Sequence, residues 1–525
     1  MKFPYHAALW SAVEFNLSST SYYANPLTEC VLDATFTSPS GTSHRAEGFW
    51  DGGRDWKVRF MPGEPGAWRY ETRPSNGQDK GLTTSGEFEV SEVASENPFR
   101  RHGAIRVSGD RRHLVHADGT PFFWLGDTAW NGPLRSAPDE WSTYLAARRA
   151  QRFNVVQWVA THWRSAPNGD TDGRIAYTGC DSILVNPQFF KRLDGKIIEM
   201  NRYGFLSAAV MLWAHKGRAY PESNPGYVLP VDQAVLLGRY MVARWEAYHV
   251  AWILAGDGDY SGDGVARWNA IGAGVFGDRP HAPVAMHFQG KKLPLDDFGG
   301  SAWLDIMAYQ SGHYDDAESY RWVFGGPVAA QWPARHGKVL LNSEPCYEDH
   351  MGRSGKRFDA HAVRRVCYWS AMAAPFPGIT YGGHGIWGWD NGRDPAVDHP
   401  QTGTPLHWNQ ALELEAGTQM RHLRAAFEST RWWELRPAPG LVVRQPAEAE
   451  SHVSAAALED GSAALVYTPV AQPLAVDLTR LKPGLPAAWI DVRNGARRTV
   501  GVNTQGGTQD FTPPGPGDWL LMFGA

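Results

Sequence analysis

Eight short apolar runs, separated by longer amphipathic stretches, set the tightest limit on what this chain can fold into. The runs are PFFWLGDTAW, FNVVQWVATHW, LSAAVMLWAH, HVAWILAGD, APVAMHF, WLDIMAYQSGH, KVLLNSEP and GITYGGHGIW. Between them lie PDEWSTYLAARRAQR, PQFFKRLDGKIIEMNRYG and VDQAVLLGRYMVARWEAY, whose apolar residues recur at helical spacing. Eight strand–helix alternations are the count of a (β/α)8 barrel. A doubly wound open sheet is the competing reading, but no GxGxxG follows the first run.

The flanks read differently. Near the start, DWKVRF places Trp56, Val58 and Phe60 on one face and Asp55, Lys57 and Arg59 on the other. MPGEPG then supplies a turn, AWRYET resumes the alternation, and SEVASENPFRRHG reads as a linker. Near the end, AALVYTP, AAWIDVRNGAR and DWLLMFG again read as short strands, with an Asn-Gly turn at Asn494–Gly495. The fold class is therefore α/β: a TIM barrel over 98–435, flanked by an N-terminal β-sandwich over 1–97 and a C-terminal β-sandwich over 436–525. At roughly 150 residues per domain, three units also suit a chain of 525 residues.

Charge and cysteine usage remove several functions. Fifty basic and 55 acidic residues leave a net charge of −5, with no footprint for nucleic acid or an anionic membrane. No window approaches a membrane span. The start, MKFPYHAALWSAVEF, lacks the apolar core and cleavage site of a signal peptide, and the four dispersed cysteines show no CxxC spacing. Both features predict a cytoplasmic protein. Asp257, Asp259, Ser261 and Gly262 imitate a calcium loop, but Trp268 stands where a bidentate glutamate is needed. No HExxH, zinc-spaced cluster, GxSxG or Walker loop is present, so neither metal nor cofactor is expected. Association with copies of itself as a homo-oligomer is left open.

In a barrel, chemistry sits at the C-terminal ends of the strands. The residues that close the eight runs are Asp127; Gln157, His162 and Trp163; Trp213 and His215; Asp257; His287; Tyr309, Gln310 and His313; Glu344; and Tyr381, His384 and Trp387. Asp257 and Glu344 end the fourth and seventh runs. Carboxylates held at the ends of buried strands are partly desolvated, which raises their pKa and suits acid catalysis. Facing each other across the mouth, they could flank one glycosidic bond. Asp259 competes with Asp257, and Glu348 and Asp349 compete with Glu344. Trp130, Trp158, Tyr260 and Trp389 join Trp163, Trp213, Tyr309, Tyr381 and Trp387 near strand ends. Flat aromatic faces stack on the C–H faces of sugar rings. A chain with 24 tryptophans thus predicts a stacking surface, while Trp56, Trp68, Trp489 and Trp519 read as cores of the flanking sheets.

At these same residues the chain resembles a known family. FWLGDTAW, RFNVVQ, WLDIMAYQSGH, LLNSEPCYED and RRVCYWSAMAA are similar to the motifs of the apiosidase-like glycoside hydrolases. NPLTECVLDATFTSPSG and GFWDGGRDWKVRFMPGEPGAWRYET resemble the β-sandwich module that often precedes such a barrel, and the last ninety residues resemble a collagen-binding-type β domain. The resemblance implies a retaining hydrolase with Asp257 as acid/base, Glu344 as nucleophile, and Asp127, Gln310 and His313 as sugar contacts. Two departures lie near the sugar site. GDY follows the fourth run where the family pattern has a basic residue, and HFQG replaces His-Pro on the fifth. The sugar therefore stays open.

The expected function is hydrolysis of a glycosidic bond with retention, exo-acting on short oligosaccharides or small glycosides. The remaining candidates as substrate contacts are Gln157, His162, Trp163, Trp213, His287, Tyr309, Tyr381, His384 and Trp387. A carbohydrate-binding scaffold with a degenerate barrel is the competing class; an inverting hydrolase or a transglycosylase would keep the enzyme and change its outcome.

Overall fold

The computed structural model of the chain describes residues 6–216, 219–258, 260–277, 279–334, 337–502 and 506–524. Eight parallel strands close into a barrel: β1 (Trp124–Thr128), β2 (Val155–Val159), β3 (Leu206–Trp213), β4 (Val250–Gly258), β5 (Val284–Phe288), β6 (Ile306–Gln310), β7 (Val339–Glu344) and β8 (Gly378–Tyr381). The seam is sealed by β1 pairing with β8, with Gly126 opposite Thr380. Every apolar run of the sequence supplies one of these strands. Helices cover the outside, among them α1 (Pro138–Ala150), α2 (Pro187–Arg202), α3 (Val231–Trp245), α4 (Asp263–Phe276), α5 (Ala317–Gly325), α6 (Ala360–Ala373) and α7 (Glu415–Glu428). Strands buried on both faces carry almost no polar alternation, which is why they read as continuous apolar runs.

The N-terminal β-sandwich turns on one long strand, Ser43–Gly52. Its first half pairs with Leu32–Thr37 and its second half with Asp55–Phe60, so it passes from one layer to the other. Gly48 sits at the crossing, where a Cβ would lie 2.5 Å from Leu32 Cδ2. Phe15, Phe36, Tyr70 and Phe88 meet between the layers. At the other end, a six-stranded antiparallel sheet and the pair Leu474–Asp477 and Thr508–Phe511 form the C-terminal unit. As expected, Trp56, Trp68, Trp489 and Trp519 are buried in these flanking cores.

Buried ion pairs fix both flanks to the barrel. Arg59, which the alternation placed on a polar face, is buried at the joint. It donates to Asp194 of α2 at 2.7 Å and to the carbonyl of Arg244 in α3 at 2.8 Å. Arg244 in turn reaches Asp194 and, at 2.9 Å, Asp51 of the sandwich. On the far side, Arg364 of α6 makes a two-pronged pair with Asp518 at 2.8 and 2.9 Å, and Tyr368 stacks on Tyr467. Below the barrel, Arg111 from a small hairpin sheet reaches Asp305 and the carbonyl of Gly337, at the N-terminal ends of β6 and β7. The C-terminal mouth is left for chemistry.

No helix among the described residues is long and apolar enough to cross a membrane. Cys30, Cys180, Cys346 and Cys367 are all unpaired.

Candidate active site

Asp257 occupies an irregular stretch of β4. The register with β5 slips between Ile253 and Gly256 and again between Gly256 and Gly258, and Asp257 itself has a left-handed φ of 52°. Bulges of this kind re-aim a side chain at the end of a strand. Its two glycine neighbours are required by crowding. A Cβ on Gly256 would lie 2.5 Å from the Trp213 ring, and one on Gly258 would lie 2.5 Å from Tyr260. The Asp257 carboxylate accepts from Gln310 Nε2 at 2.6 Å and lies 3.6 Å from the guanidinium of Arg164. Gln289 donates to its backbone carbonyl at 3.1 Å. These facts bear on both family departures: the cation beside Asp257 comes from the loop after β2, and the glutamine of HFQG anchors the β4 tip.

Glu344 ends β7, where a second slip in register between Tyr309 and Gln310 seats it opposite Gln310. Tyr347 N–H donates to His313 Nδ1 at 3.2 Å, so the other ring nitrogen carries the proton and donates it to Glu344 Oε1 at 3.0 Å. His287 Nε2 lies 3.2 Å from Glu344 Oε2, while its Nδ1 contacts Ser343 Oγ at 2.9 Å. Burial works against ionisation of Glu344, but its interactions with His287 and His313 outweigh it. They hold the carboxyl well below the usual glutamate range. The raised pKa expected of a strand-end carboxyl is corrected here for Glu344, because desolvation is only one of the competing influences.

The two carboxyl groups are connected by a polar relay. Gln310 touches Asp257 at 2.6 Å and His287 at 2.9 Å, and His287 touches Glu344 at 3.2 Å. β4 and β7 are three places apart in the ring, with β5 and β6 between them. The carboxylates are thus bridged from one side of the mouth. Both open into a single cavity of about 580 Å³.

Of the expected contacts, Trp163, Trp213, Gln310, His313 and Trp387 line this cavity, as do Trp130 and His215, and His287 supports it from below. Six do not reach it. Asp127 points outward into a buried pair with Arg148 at 2.7 Å, also accepting from Tyr144. Gln157 lies in the barrel interior, donating to Thr128 and to the Ser343 carbonyl. Tyr309 faces Trp322 of α5, and Tyr381 faces outward to donate to Glu348 at 2.7 Å. His162 is turned aside by the N–H of Ala176, and burial lowers its pKa to about 4. His384 is held between the Asp349 carbonyl and Thr402.

The competing carboxylates are also placed. Glu348 accepts the N–H groups of Ala416 and Gly417 at the start of α7, and Asp349 pairs with Arg357 at 2.7 Å. Asp259 lies outside the described residues. Trp158, Tyr260 and Trp389 pack in the surrounding layers. Arg164, Tyr314, Tyr347, His350 and Arg353 line the cavity without having been singled out in the sequence. All five lie in loops after strands, where neither spacing nor periodicity marks them.

The tryptophans form walls more than a stacking platform. Trp163 and Trp213 are each 1% exposed and pack on one another at 4.5 Å, with Trp130 against Trp213. The expectation of a broad aromatic surface is corrected: close packing at the strand ends buries most of each ring. Among the described residues no group of three or more His, Cys, Asp or Glu side chains is arranged to hold a metal ion.

Comparison with known proteins adds independent findings. The sequence profile described as "Apiosidase-like, catalytic domain" matches residues 108–434. A domain of unknown function matches residues 6–75, and a proposed collagen-binding domain of a collagenase matches residues 437–523. Among solved structures, a proposed glycoside hydrolase of Bacteroides vulgatus ATCC 8482 is 18% identical, with a TM-score of 0.73 over 99% of both chains. A glycoside hydrolase family 5 structure from the same organism is 22% identical, with a TM-score of 0.71 over 82% of this chain and 95% of that one. At such identities these structures speak for the fold. No curated protein sequence matches the chain.

Proposed function

The chain belongs to the apiosidase-like family of glycoside hydrolases, and from that premise we propose that it cleaves a glycosidic bond with retention of configuration. Asp257 protonates the leaving oxygen while the Glu344 carboxylate attacks the anomeric carbon, forming a glycosyl ester and releasing the aglycone. Asp257, now ionised, takes a proton from water, whose oxygen displaces Glu344 and frees the sugar.

The observation that carries this reading is the asymmetry of the two carboxyl groups. Glu344 is gripped by two histidines that favour its ionised form, as a nucleophile requires. Asp257 is one-fifth exposed at the cavity edge, where a leaving group and then a water could reach it.

Four unpaired cysteines support a reducing, cytoplasmic setting. That location would supply short oligosaccharides or small glycosides in place of polymers, and hence exo action.

The test is a panel of apiosides, arabinosides and galactosides, followed by azide rescue of the catalytic variants. Glu344→Ala with azide should yield the glycosyl azide of inverted configuration, and Asp257→Ala the retained one. Wild-type turnover in either variant, or an inverted wild-type product by NMR, would refute the mechanism.

A further inference from the structure

The cavity has a rim on the Asp257 side that the catalytic assignment leaves unused. Arg164, 3.6 Å from Asp257, is also ion-paired with Asp398. The other Asp398 oxygen accepts the backbone N–H of Ala219 at 3.0 Å. Asp398, after β8, therefore joins Ala219, after β3, to Arg164, which stands beside Asp257. The residues flanking this junction are apolar and open to solvent: Tyr220 is 47% exposed and Val397 38%. His399, one residue beyond Asp398 and two beyond Val397, lines the cavity.

A lone exposed tyrosine would mean little. This one is held in a left-handed conformation, φ 52°, which a side-chain-bearing residue adopts only at a cost of about 1 kcal/mol or more. Asp398, with φ 64°, shares the same strain. The Asp398 contact holds the backbone at Ala219, next to Tyr220, whose ring is left largely exposed. An aromatic face beside an aliphatic side chain suits the C–H face of a sugar ring. In a hydrolase the group next to the acid is the leaving group, because the acid must reach the departing oxygen.

We infer that Tyr220, with Val397, is a platform for the leaving-group sugar, so that the preferred substrates carry a ring on the leaving side. This deepens, and rests on, the hydrolase reading above. Asp398 is the positioning residue that sets the platform against Arg164 and Asp257.

The experiment compares two substrates with one glycone drawn from the panel: a disaccharide, and the corresponding glycosyl fluoride, whose leaving group is too small to touch the rim. Tyr220→Ala should lower kcat/KM on the disaccharide roughly tenfold, as expected for loss of one aromatic contact, and leave the fluoride unchanged. Tyr220→Trp should retain disaccharide activity. Equal loss on both substrates, or no loss on either, overturns the platform. Wild-type protein that hydrolyses neither compound at any glycone of the panel instead overturns the hydrolase reading, and the platform falls with it.

Discussion

Gln310 donates to Asp257 at 2.6 Å while the same nitrogen stands 2.9 Å from His287. A single amide thus couples the tip of β4 to the histidine that faces Glu344. Neither carboxylate can be altered without disturbing the other's surroundings, and rate losses at the two positions should fall short of additive.

Removing His313 should shift the acidic limb of activity. In the intact site, burial disfavours the Glu344 carboxylate, yet the two histidines depress its pKa below the ordinary glutamate range. Its ionised form therefore persists as pH falls, and is lost only through that depressed value. In His313→Ala one donor is gone, so the acidic limb of kcat/KM should move to higher pH. A profile between about pH 3 and pH 7 is sufficient to see this; an unmoved limb would detach Glu344 from that ionisation.

Gly256→Ala places a methyl 2.5 Å from the ring of Trp213, which is buried against Trp163 and Trp130. Overpacking should cost about 1–3 kcal/mol in chemical denaturation. Because Asp257 is the next residue, kcat should fall as well. A variant with normal stability and normal kcat would show that the β4 bulge does not aim the acid.

Asp390 is 8% exposed, and burial pushes its carboxyl up to about 7 against the pull of Arg135. The folded protein therefore holds a proton there that the unfolded chain releases near pH 4. Between these two values stability falls as pH rises, and above about pH 7 the full penalty, at most about 4 kcal/mol, is in force. Asp390→Asn removes the ionisation, so its melting temperature relative to wild type should be higher at pH 8 than at pH 4. Parallel melting curves at both pH values would contradict this.

The Arg364–Asp518 pair predicts a different signature. Breaking it with Asp518→Ala leaves a buried guanidinium and should cost about 3–5 kcal/mol in urea unfolding. The double change Arg364→Met with Asp518→Leu should recover most of that loss. Equal damage in single and double variants would mean that shape at this joint matters more than charge.

The architecture was legible because buried parallel strands leave uninterrupted apolar runs, and turn residues bound them. The same property hid the orientation of individual side chains. In a strand buried on both faces, successive residues point to opposite sides, but nothing polar labels which side is inward. Asp127, Tyr309 and Tyr381 therefore looked like mouth residues and instead face the helices. Glu344 reaches the cavity only because β7 slips by one residue against β6. Asp257 likewise depends on the β4 irregularities. Arg164 was invisible for another reason: its partner Asp398 is far away in the chain, and only the closed ring brings them together.

The joint between the sandwich and the barrel carries a consequence for how such a chain can be divided. Asp194 and Arg244 belong to the barrel helices, yet each is satisfied partly by a sandwich residue, Arg59 or Asp51. Excising residues 6–97 would strand part of that charge network without counter-ions on a newly wetted surface. A catalytic fragment trimmed to the barrel should therefore lose solubility and yield well before any residue of the mouth is touched. Production of the enzyme should thus depend on its first hundred residues.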